Sequence, residues 1–514
     1  MVARSDLLGS FVMTSLMLVA GRVVSLVFFL NTLSNAAPEC EITISGSIGD
    51  ANSTVEDVLN LNKIILPKLE EIIKRDYFRI FQVNLYQKCQ FWPDDGRCVL
   101  RDCQVEDCSI SEIPIGLRES SYDKLISPKA VARVDSESGF NREQCLHEEE
   151  ETLTLGQLDT FLDENQQKTI GKWSTKEAED KPFCELGDES EQGTIYVDLL
   201  KNVEKYTGYK GESSARIWKS IYLENCFRSN PMRVFNGIPY SPVDTKACKE
   251  KRLFYRLISG LQTSISLQLC YNHLLSDFKG ASSFFSLPKE NVWGPSVEEF
   301  VRRFHPALVP ESLGRLRNLF LAYVVEMRAI AKVAPYLRQQ AFYTGDTAID
   351  TQTRSMVLDF LSDIEDHNGV FDESQLFHES GKEILDLKEE FRLRFLNISR
   401  IMDCVGCDKC RLWGKLQIQG IGTALKVLFN DNLFDNSKCC FAQMRPNNQL
   451  RRSEIVSLFN GFAKFATSIQ NFAQLREMMI KQTSLMLRSS CLLCLPMHWP
   501  PLSSNALASS VQDC

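Results

Sequence analysis

Apolar residues recur at every third or fourth position over most of the chain, which is the spacing of amphipathic α-helices. The first such stretch runs from Val55 to Ile73. Later stretches with the same spacing are Arg252 to Cys270, Leu313 to Leu337, Thr353 to Ile364, Gly381 to Arg400 and Ser453 to Met486. Ser453 is the predicted N-cap of the last one. Strand-type alternation is rare, so the pattern predicts a mainly α fold, a single large helical domain with long irregular loops.

Two stretches lack helical periodicity and are predicted to be loops. The first runs from Cys89 to Cys108 and holds four cysteines among proline, aspartate and glycine residues. Loops of this kind present exposed thiols to other proteins, although the same cysteines also suit structural disulfides. The second, residues 119–191, is acidic and poor in apolar residues, which is typical of a solvated, flexible loop.

The candidate chemistry lies in a cysteine triplet. Cys404, Cys407 and Cys410 form two consecutive CxxC spacings, and apolar residues at helical spacing follow them, which predicts a helix N-terminus at or just after the triplet. Because a helix N-terminus favours negative charge, a CxxC there exchanges disulfides readily, which indicates Cys407 and Cys410 as a reactive pair. Spacing alone leaves a zinc or iron–sulfur ligand set and purely structural cysteines open, although the other cysteine pairs are poorly placed to complete a zinc site.

Composition and the N-terminus bear on partners and compartment. The chain has 514 residues, of which 44% are hydrophobic, with a net charge of −8 and no dense basic run, so we expect no nucleic-acid partner. Eighteen cysteines are hard to reconcile with a reducing cytosol. Residues 1–36 combine Arg4, a long interrupted apolar run and small residues, which predicts a secretory signal peptide. A signal anchor is the alternative, because the combined run is long enough to span a bilayer.

The segment from Met402 to Phe429, MDCVGCDKCRLWGKLQIQGIGTALKVLF, resembles the active-site segment of the endoplasmic reticulum oxidoreductin family. These proteins are flavin-dependent sulfhydryl oxidases that reoxidise protein disulfide isomerase. Four further segments are also similar to the family and occur along the chain in the family's order: Asp76 to Trp92, Tyr196 to Gly211, Glu250 to Leu261 and Glu454 to Phe462. The resemblance implies a thiol oxidase domain over residues 37–480, followed by a divergent tail over residues 481–514.

The resemblance implies an electron path made of two disulfides. Cys98 and Cys103, in the loop 89–108, would be the shuttle pair that takes electrons from reduced disulfide isomerase. Cys407 and Cys410, in an active-site helix over residues 404–429, would pass them to FAD, and O2 would reoxidise the flavin and yield hydrogen peroxide. The implied location is the endoplasmic reticulum lumen, where peripheral or anchored association with the lumenal face of the membrane fits either interpretation of the N-terminus.

FAD enters through the resemblance alone, since the chain has no G-x-G-x-x-G after a strand. The family's cofactor contacts correspond to Lys205, Thr207, Tyr209, Trp218, Ser259, Gln262, Arg303 and Arg315. Arginines suit pyrophosphate oxygens, and Trp or Tyr rings suit stacking. Two positions depart from the family: Lys205 replaces an arginine and Gln262 replaces a histidine. These departures predict weaker FAD binding rather than its loss.

The remaining cysteine roles also follow from the resemblance. It implies structural disulfides Cys89–Cys404 and Cys226–Cys248, an inhibitory Cys98–Cys145 pairing, and a resting-state exchange that pairs Cys103 with Cys108. No metal site is expected. Two other functions stay open at this point: a catalytically weak redox protein that binds disulfide isomerase, and a zinc-binding structural protein of the lumen.

Overall fold

The structure is a computed structural model, and it describes residues 42–89, 91–92, 103–118, 193–204, 211–225, 233–235, 238–240, 248–275, 292–367, 369–377, 382–429 and 450–492. The predicted N-terminal signal, the acidic loop 119–191 and the end of the tail lie outside these ranges. Within them, no helix combines the length and apolar character needed to cross a membrane.

Helices make up most of the described chain. They are α1 (Val55–Ile73), α2 (Asp76–Arg79), α3 (Ile115–Arg118), α4 (Gly211–Lys219), α5 (Cys248–Tyr271), α6 (Val297–Phe304), α7 (Ser312–Leu337), α8 (Thr347–Glu365), α9 (Lys382–Ile401), α10 (Asp408–Phe429) and α11 (Arg452–Leu492). Short 3-10 turns cover Ile110–Glu112, Glu373–Gln375 and Met402–Cys404, and a π-helical turn, Ser220–Glu224, extends α4. The mainly α fold is confirmed.

The described strands form three small antiparallel pairs. They are β1 (Ile80–Val83) with β2 (Ile195–Asp198), β3 (Arg233–Phe235) with β4 (Ile238–Tyr240), and β5 (His273–Leu274) with β6 (Trp293–Gly294). In the first pair Ile80 faces Asp198 and Val83 faces Ile195. This ribbon matters for the site, because the chain leaves β1 and runs directly towards Cys89.

The core forms where the long helices cross. Helix α10 packs along α11, and α5 packs along α7; α7 also touches both α10 and α11, while α1 contacts α11. Aromatic side chains fill the crossing: the ring centroid of Phe459 lies 4.9 Å from that of Phe78, and the ring centroid of Tyr323 lies 4.7 Å from that of Phe462. Nearly all of α10 is therefore buried.

Helix α1 shows why some boundaries were predictable. It covers the predicted residues, and a capping box at its start joins Thr54 and Asp57. Helix α11 begins at Arg452, so the prediction that Ser453 is its N-cap was wrong. Helix α8 begins at Thr347, earlier than predicted, because the Asp346 side chain accepts the N–H groups of Ala348 and Ile349.

Two close helix contacts depend on glycine. A Cβ at Gly420 of α10 would lie 2.6 Å from the carbonyl oxygen of Ser457 in α11. A Cβ at Gly260 of α5 would lie 2.5 Å from the carbonyl oxygen of Asn318 in α7. Neither oxygen can rotate away, since both belong to helix backbone. Helix α10 therefore reaches α11 only because position 420 lacks a side chain.

The same crossing buries a carboxyl group. Glu326 of α7 is fully buried, and its Oε1 lies 3.3 Å from the Cβ positions that side chains at Gly420 and Gly461 would have. Neither of its carboxyl oxygens has a hydrogen-bond partner among the described residues. Burial raises the pKa of Glu326 well above its usual value of 4.5. Burial at the helix crossing therefore favours the neutral, protonated form of this side chain.

The glycine contact predicts the effect of a small substitution. We expect Gly420→Ala to lower the free energy of unfolding by about 1–3 kcal/mol, because the added methyl forces α10 away from α11. Gly314 lies in the first turn of α7 with nothing within 4 Å of its Cβ position, and it is the matched control. Gly314→Ala should be neutral or stabilise by up to about 1 kcal/mol. Urea unfolding measures both, and equal effects would contradict the contact.

The buried acid predicts a dependence of stability on pH. As pH rises above 4.5, Glu326 ionises in the unfolded chain but stays protonated in the folded one. The free energy of unfolding therefore falls by about 1.4 kcal/mol per pH unit, until the pH at which the carboxyl also ionises in the folded protein. Glu326→Met removes this contribution. Its stabilising effect in urea unfolding should therefore be larger at about pH 8 than at about pH 5. Glu326→Gln should also lose the slope, and the same effect at both pH values would refute a neutral buried acid.

Candidate active site at the start of helix α10

The cysteine triplet surrounds the start of α10. Cys404 ends the 3-10 turn Met402–Cys404, Cys407 precedes the helix, and Cys410 lies in its first turn. A disulfide joins Cys407 to Cys410, with their Cα atoms 5.2 Å apart. The backbone N–H of Cys410 donates to Sγ of Cys407 at 3.3 Å. This places the pair at a helix N-terminus, as predicted, although the helix begins at Asp408 rather than at residue 404.

A second disulfide fastens the turn before the helix. It joins Cys404 to Cys89, with their Cα atoms 4.5 Å apart across 315 residues of sequence. This is the pairing that the resemblance implies. Because Cys89 follows strand β1, the bond ties the active-site turn to the end of the β1–β2 ribbon.

Two buried cations of α10 reinforce this tie. Arg411 donates from Nε to the carbonyl oxygen of Val405 at 2.8 Å and from Nη1 to that of Leu85 at 2.6 Å. Lys415 donates to the carbonyl oxygen of Asn84 at 2.8 Å and pairs with Asp403. Both cations are almost fully buried. They bind carbonyl groups on both sides of the Cys89–Cys404 bond and hold the turn against the segment that follows β1.

The structure describes one of the two predicted shuttle cysteines, Cys103. Cys103 is buried and disulfide-bonded, whereas Cys108 is a half-buried thiol outside any disulfide. The Cys103–Cys108 pairing is therefore not formed in this structure. Burial first, and then the charges of Asp198 and Glu112, raise the pKa of Cys108 to about 11. Cys108 is thus a protonated, weakly nucleophilic thiol at neutral pH.

Several predicted residues cannot be placed. Cys98, Cys145, Cys226, Lys205, Thr207 and Tyr209 lie outside the described residues. Cys248 begins helix α5. The inhibitory Cys98–Cys145 pairing and the Cys226–Cys248 disulfide therefore stay predictions.

The described cofactor candidates gather around a residue that the sequence did not single out, Tyr222. Its hydroxyl donates to Oε1 of Gln262 at 2.7 Å, and its ring centroid lies 6.1 Å from that of Trp218. Burial raises the pKa of Tyr222, while the Arg315 charge and a hydrogen bond with Ser259 oppose that rise. Helices α4, α5 and α7 thus bring four predicted residues to one tyrosine. The sequence offered only an apolar position four residues after Trp218, which is typical of core packing.

Arg303 is the remaining described candidate, on helix α6. It is 2% exposed and its Nε lies 3.2 Å from Oε2 of Glu299. Burial lowers the pKa of Arg303 to about 10, so it remains charged at neutral pH. Helix α6 packs against α5, α7 and α11. A buried guanidinium on α6, the Arg315 guanidinium on α7 and the Trp218 ring have the donor and stacking chemistry of a dinucleotide site, so these residues fit FAD.

The donor set speaks against zinc at the triplet. Cys404, Cys407 and Cys410 are all in disulfides, and a disulfide sulfur is not the thiolate ligand that zinc requires. In the described part of the chain, no three histidine, cysteine or acidic side chains are grouped to hold a metal ion.

A CxxC disulfide in the first turn of a buried helix, within a largely helical domain, defines a thiol–disulfide oxidoreductase. Residues 64–472 match the family model described as Endoplasmic Reticulum Oxidoreductin 1 (ERO1). The chain belongs to this family, and it is an oxidoreductase that acts in disulfide formation during oxidative protein folding.

Curated relatives and solved structures agree with this assignment. The chain is 41% identical to the Ero1-like protein of Drosophila melanogaster, over 86% of this chain and 92% of the relative. It is 39% identical to ERO1-like protein alpha of Mus musculus, over 86% of this chain and 93% of the relative. A mutant of Ero1p from S. cerevisiae aligns with a TM-score of 0.51 at 25% identity, over 83% of this chain and 98% of that one.

Proposed function

We propose that the chain is an FAD-dependent protein thiol oxidase that reoxidises protein disulfide isomerase in the lumen of the endoplasmic reticulum. The observation that carries the proposal is the Cys407–Cys410 disulfide at the start of α10, held by Arg411, Lys415 and the Cys89–Cys404 bond in a chain of the ERO1 family. A disulfide fixed in this way suits a relay between a protein thiol and a bound cofactor.

The first step is thiol–disulfide exchange at the shuttle pair. A thiolate of reduced disulfide isomerase attacks the Cys98–Cys103 disulfide and forms a mixed disulfide, and its second thiol then releases Cys98 and Cys103 as a dithiol. The isomerase leaves oxidised, having given up two electrons and two protons. Cys108 is a weak competitor for Cys103 at neutral pH, because its raised pKa leaves little of the thiol as thiolate.

The second step transfers the same two electrons inward. The shuttle dithiol reduces Cys407–Cys410, and its own disulfide reforms. The N–H of Cys410, which donates to Sγ of Cys407, stabilises negative charge as it develops on that sulfur. Arg411 and Lys415 keep the turn in place while the bond between the two sulfurs is broken.

FAD would be held by Arg303 and Arg315 at anionic groups and by Trp218 at a ring face, with Lys205, Thr207, Tyr209, Ser259 and Gln262 completing the set. When bound, FAD accepts the electron pair from a thiolate and passes it to O2, which gives hydrogen peroxide. Tyr222 fixes the Gln262 carbonyl oxygen by its hydrogen bond, so the Gln262 amide group is free to donate in place of the family's histidine.

The proposed function is tested on protein purified after expression in a secretory lumen. We expect a yellow protein with flavin absorbance, and O2 uptake with hydrogen peroxide release when reduced disulfide isomerase is added. Heat-inactivated protein is the control. Flavin colour without O2 uptake would instead identify a catalytically weak protein that binds the isomerase, and a colourless protein with stoichiometric zinc would identify a structural protein.

Substitutions separate the two disulfides. Cys407→Ala should abolish O2 uptake with reduced disulfide isomerase and with small dithiols, because both routes pass through the inner pair. Cys98→Ala should abolish uptake with the isomerase but retain most uptake with small dithiols that reach Cys407–Cys410 directly. Cys270→Ala, which changes a buried thiol outside any disulfide, is the control. An equal loss of both activities in Cys98→Ala would contradict a shuttle role.

A further inference from the structure

Lys464, a largely buried residue of α11, contacts three separate elements of the site. The Lys464 ammonium lies 3.9 Å from the ring centroid of Trp413 in α10. It also lies 3.4 Å from Oε2 of Glu204, in the segment after β2, and 3.3 Å from Oε1 of Gln268 in α5. The Lys464 side chain is 14% exposed and that of Glu204 is fully buried. Burial lowers the pKa of Lys464, and the Glu204 carboxylate opposes that effect.

Trp413 connects this lysine to the redox pair. It follows Cys410 by three residues, so the two side chains lie on the same side of α10, about one helical turn apart. The Trp413 indole N–H donates to the carbonyl oxygen of Asn202 at 2.8 Å. Lys464 covers the ring face, and the Asn202–Glu204 segment holds both the ring and the ammonium. The first turns of α10 are therefore fastened to that segment.

The two other contacts of Lys464 lead towards the proposed cofactor residues. Glu204 directly precedes Lys205, the first residue of the segment that also carries Thr207 and Tyr209. Gln268 lies on α5, fewer than two turns after Gln262. The Lys464 ammonium thus contacts three elements: α10, which carries the redox disulfide; the segment before Lys205, Thr207 and Tyr209; and α5, which carries the cofactor candidates Ser259 and Gln262.

We propose that Lys464 is a positioning residue that keeps the Cys407–Cys410 pair in register with the cofactor-binding residues. This inference rests on the proposed function. It assigns no new chemistry to Lys464, which acts through Trp413 and Glu204. An ammonium stacked on an indole and paired with a buried carboxylate is costly to separate from either, so it fixes their spacing more firmly than apolar contacts do.

Other charged groups also lie around the redox pair. Arg411 binds carbonyl oxygens of Val405 and Leu85, and Lys415 pairs with Asp403, so both act on the turn before α10. Asp408 and Lys409 lie in the first turn of α10 itself, and the exposed Lys88 precedes Cys89. Lys464 contacts both α5 and the segment before Lys205.

The test compares Lys464→Met, Lys464→Arg and a control, Lys426→Met. Lys426 of α10 pairs with Glu454 of α11 at 2.8 Å. The Lys426→Met substitution therefore removes an ion pair between the same two helices, far from the cysteines. We expect Lys464→Met to lower kcat for thiol oxidation about tenfold with the KM for reduced disulfide isomerase unchanged, since the shuttle loop is not touched. Lys464→Arg should restore kcat, because it keeps the charge and stacks on Trp413.

A readout independent of the cofactor separates this inference from the proposed function. Hydrogen exchange of residues 199–204 should become about tenfold faster in Lys464→Met and stay unchanged in Lys426→Met, whether or not the protein carries FAD. If the wild-type protein lacks flavin and O2 uptake, the proposed function fails. The hydrogen-exchange result then still decides whether Lys464 holds the segment 199–204 in place. Unchanged exchange, or unchanged kcat in an active wild type, overturns the inference.

A double variant removes a structural ambiguity. Lys464→Met leaves the Glu204 carboxylate buried without this cation, which by itself can disturb the fold. Lys464→Met combined with Glu204→Gln leaves no such charge. We expect the double variant to remain impaired in kcat and in hydrogen exchange, because the ammonium that joins the three parts is still missing. Full recovery of both would show that Lys464 only neutralises Glu204, and the positioning role would be rejected.

Discussion

The position of the Cys407–Cys410 disulfide depends on the contacts that hold the turn before α10. The Cys89–Cys404 disulfide joins residues 315 positions apart, and a crosslink over so long a loop removes about 6 kcal/mol of conformational entropy from the unfolded chain in the simple chain model. Arg411 and Lys415 add buried charge-assisted hydrogen bonds to carbonyl oxygens on the strand side of that bond. With the turn fixed from both directions, the Cys407–Cys410 pair has one position relative to the helices beneath it.

The Cys407–Cys410 pair, fixed in this way, contrasts with the cysteines for which a shuttle role is proposed. Cys103 begins the described stretch 103–118, whose helical elements are the short 3-10 turn Ile110–Glu112 and α3 (Ile115–Arg118). A second thiol in the same stretch, Cys108, is kept protonated by its surroundings. Protonation lowers the reactivity of the Cys108 thiol. The described helices thus fix Cys407–Cys410 at the start of a long buried helix, whereas Cys103 lies outside any long helix.

The sequence predicted the features that local chemistry determines. The apolar period gave the bounds of α1, and the run of apolar residues after Cys410 placed the triplet at a helix start. The predicted start of α8 was too late in the sequence, because the Asp346 side chain caps the helix before its apolar period begins. Tyr222 and Lys464 escaped notice because their contacts come from residues far apart in sequence, and no local pattern distinguishes them from ordinary core and surface positions.

The central claim is that electrons from protein thiols reach a bound flavin only through Cys407 and Cys410. Anaerobic titration with reduced disulfide isomerase tests it most directly, with flavin absorbance and the alkylation of each cysteine followed together. The account predicts that one isomerase dithiol is oxidised for each flavin that loses its colour, and that Cys410→Ala keeps its flavin coloured. Bleaching of the flavin at an unchanged rate in Cys410→Ala would contradict the account.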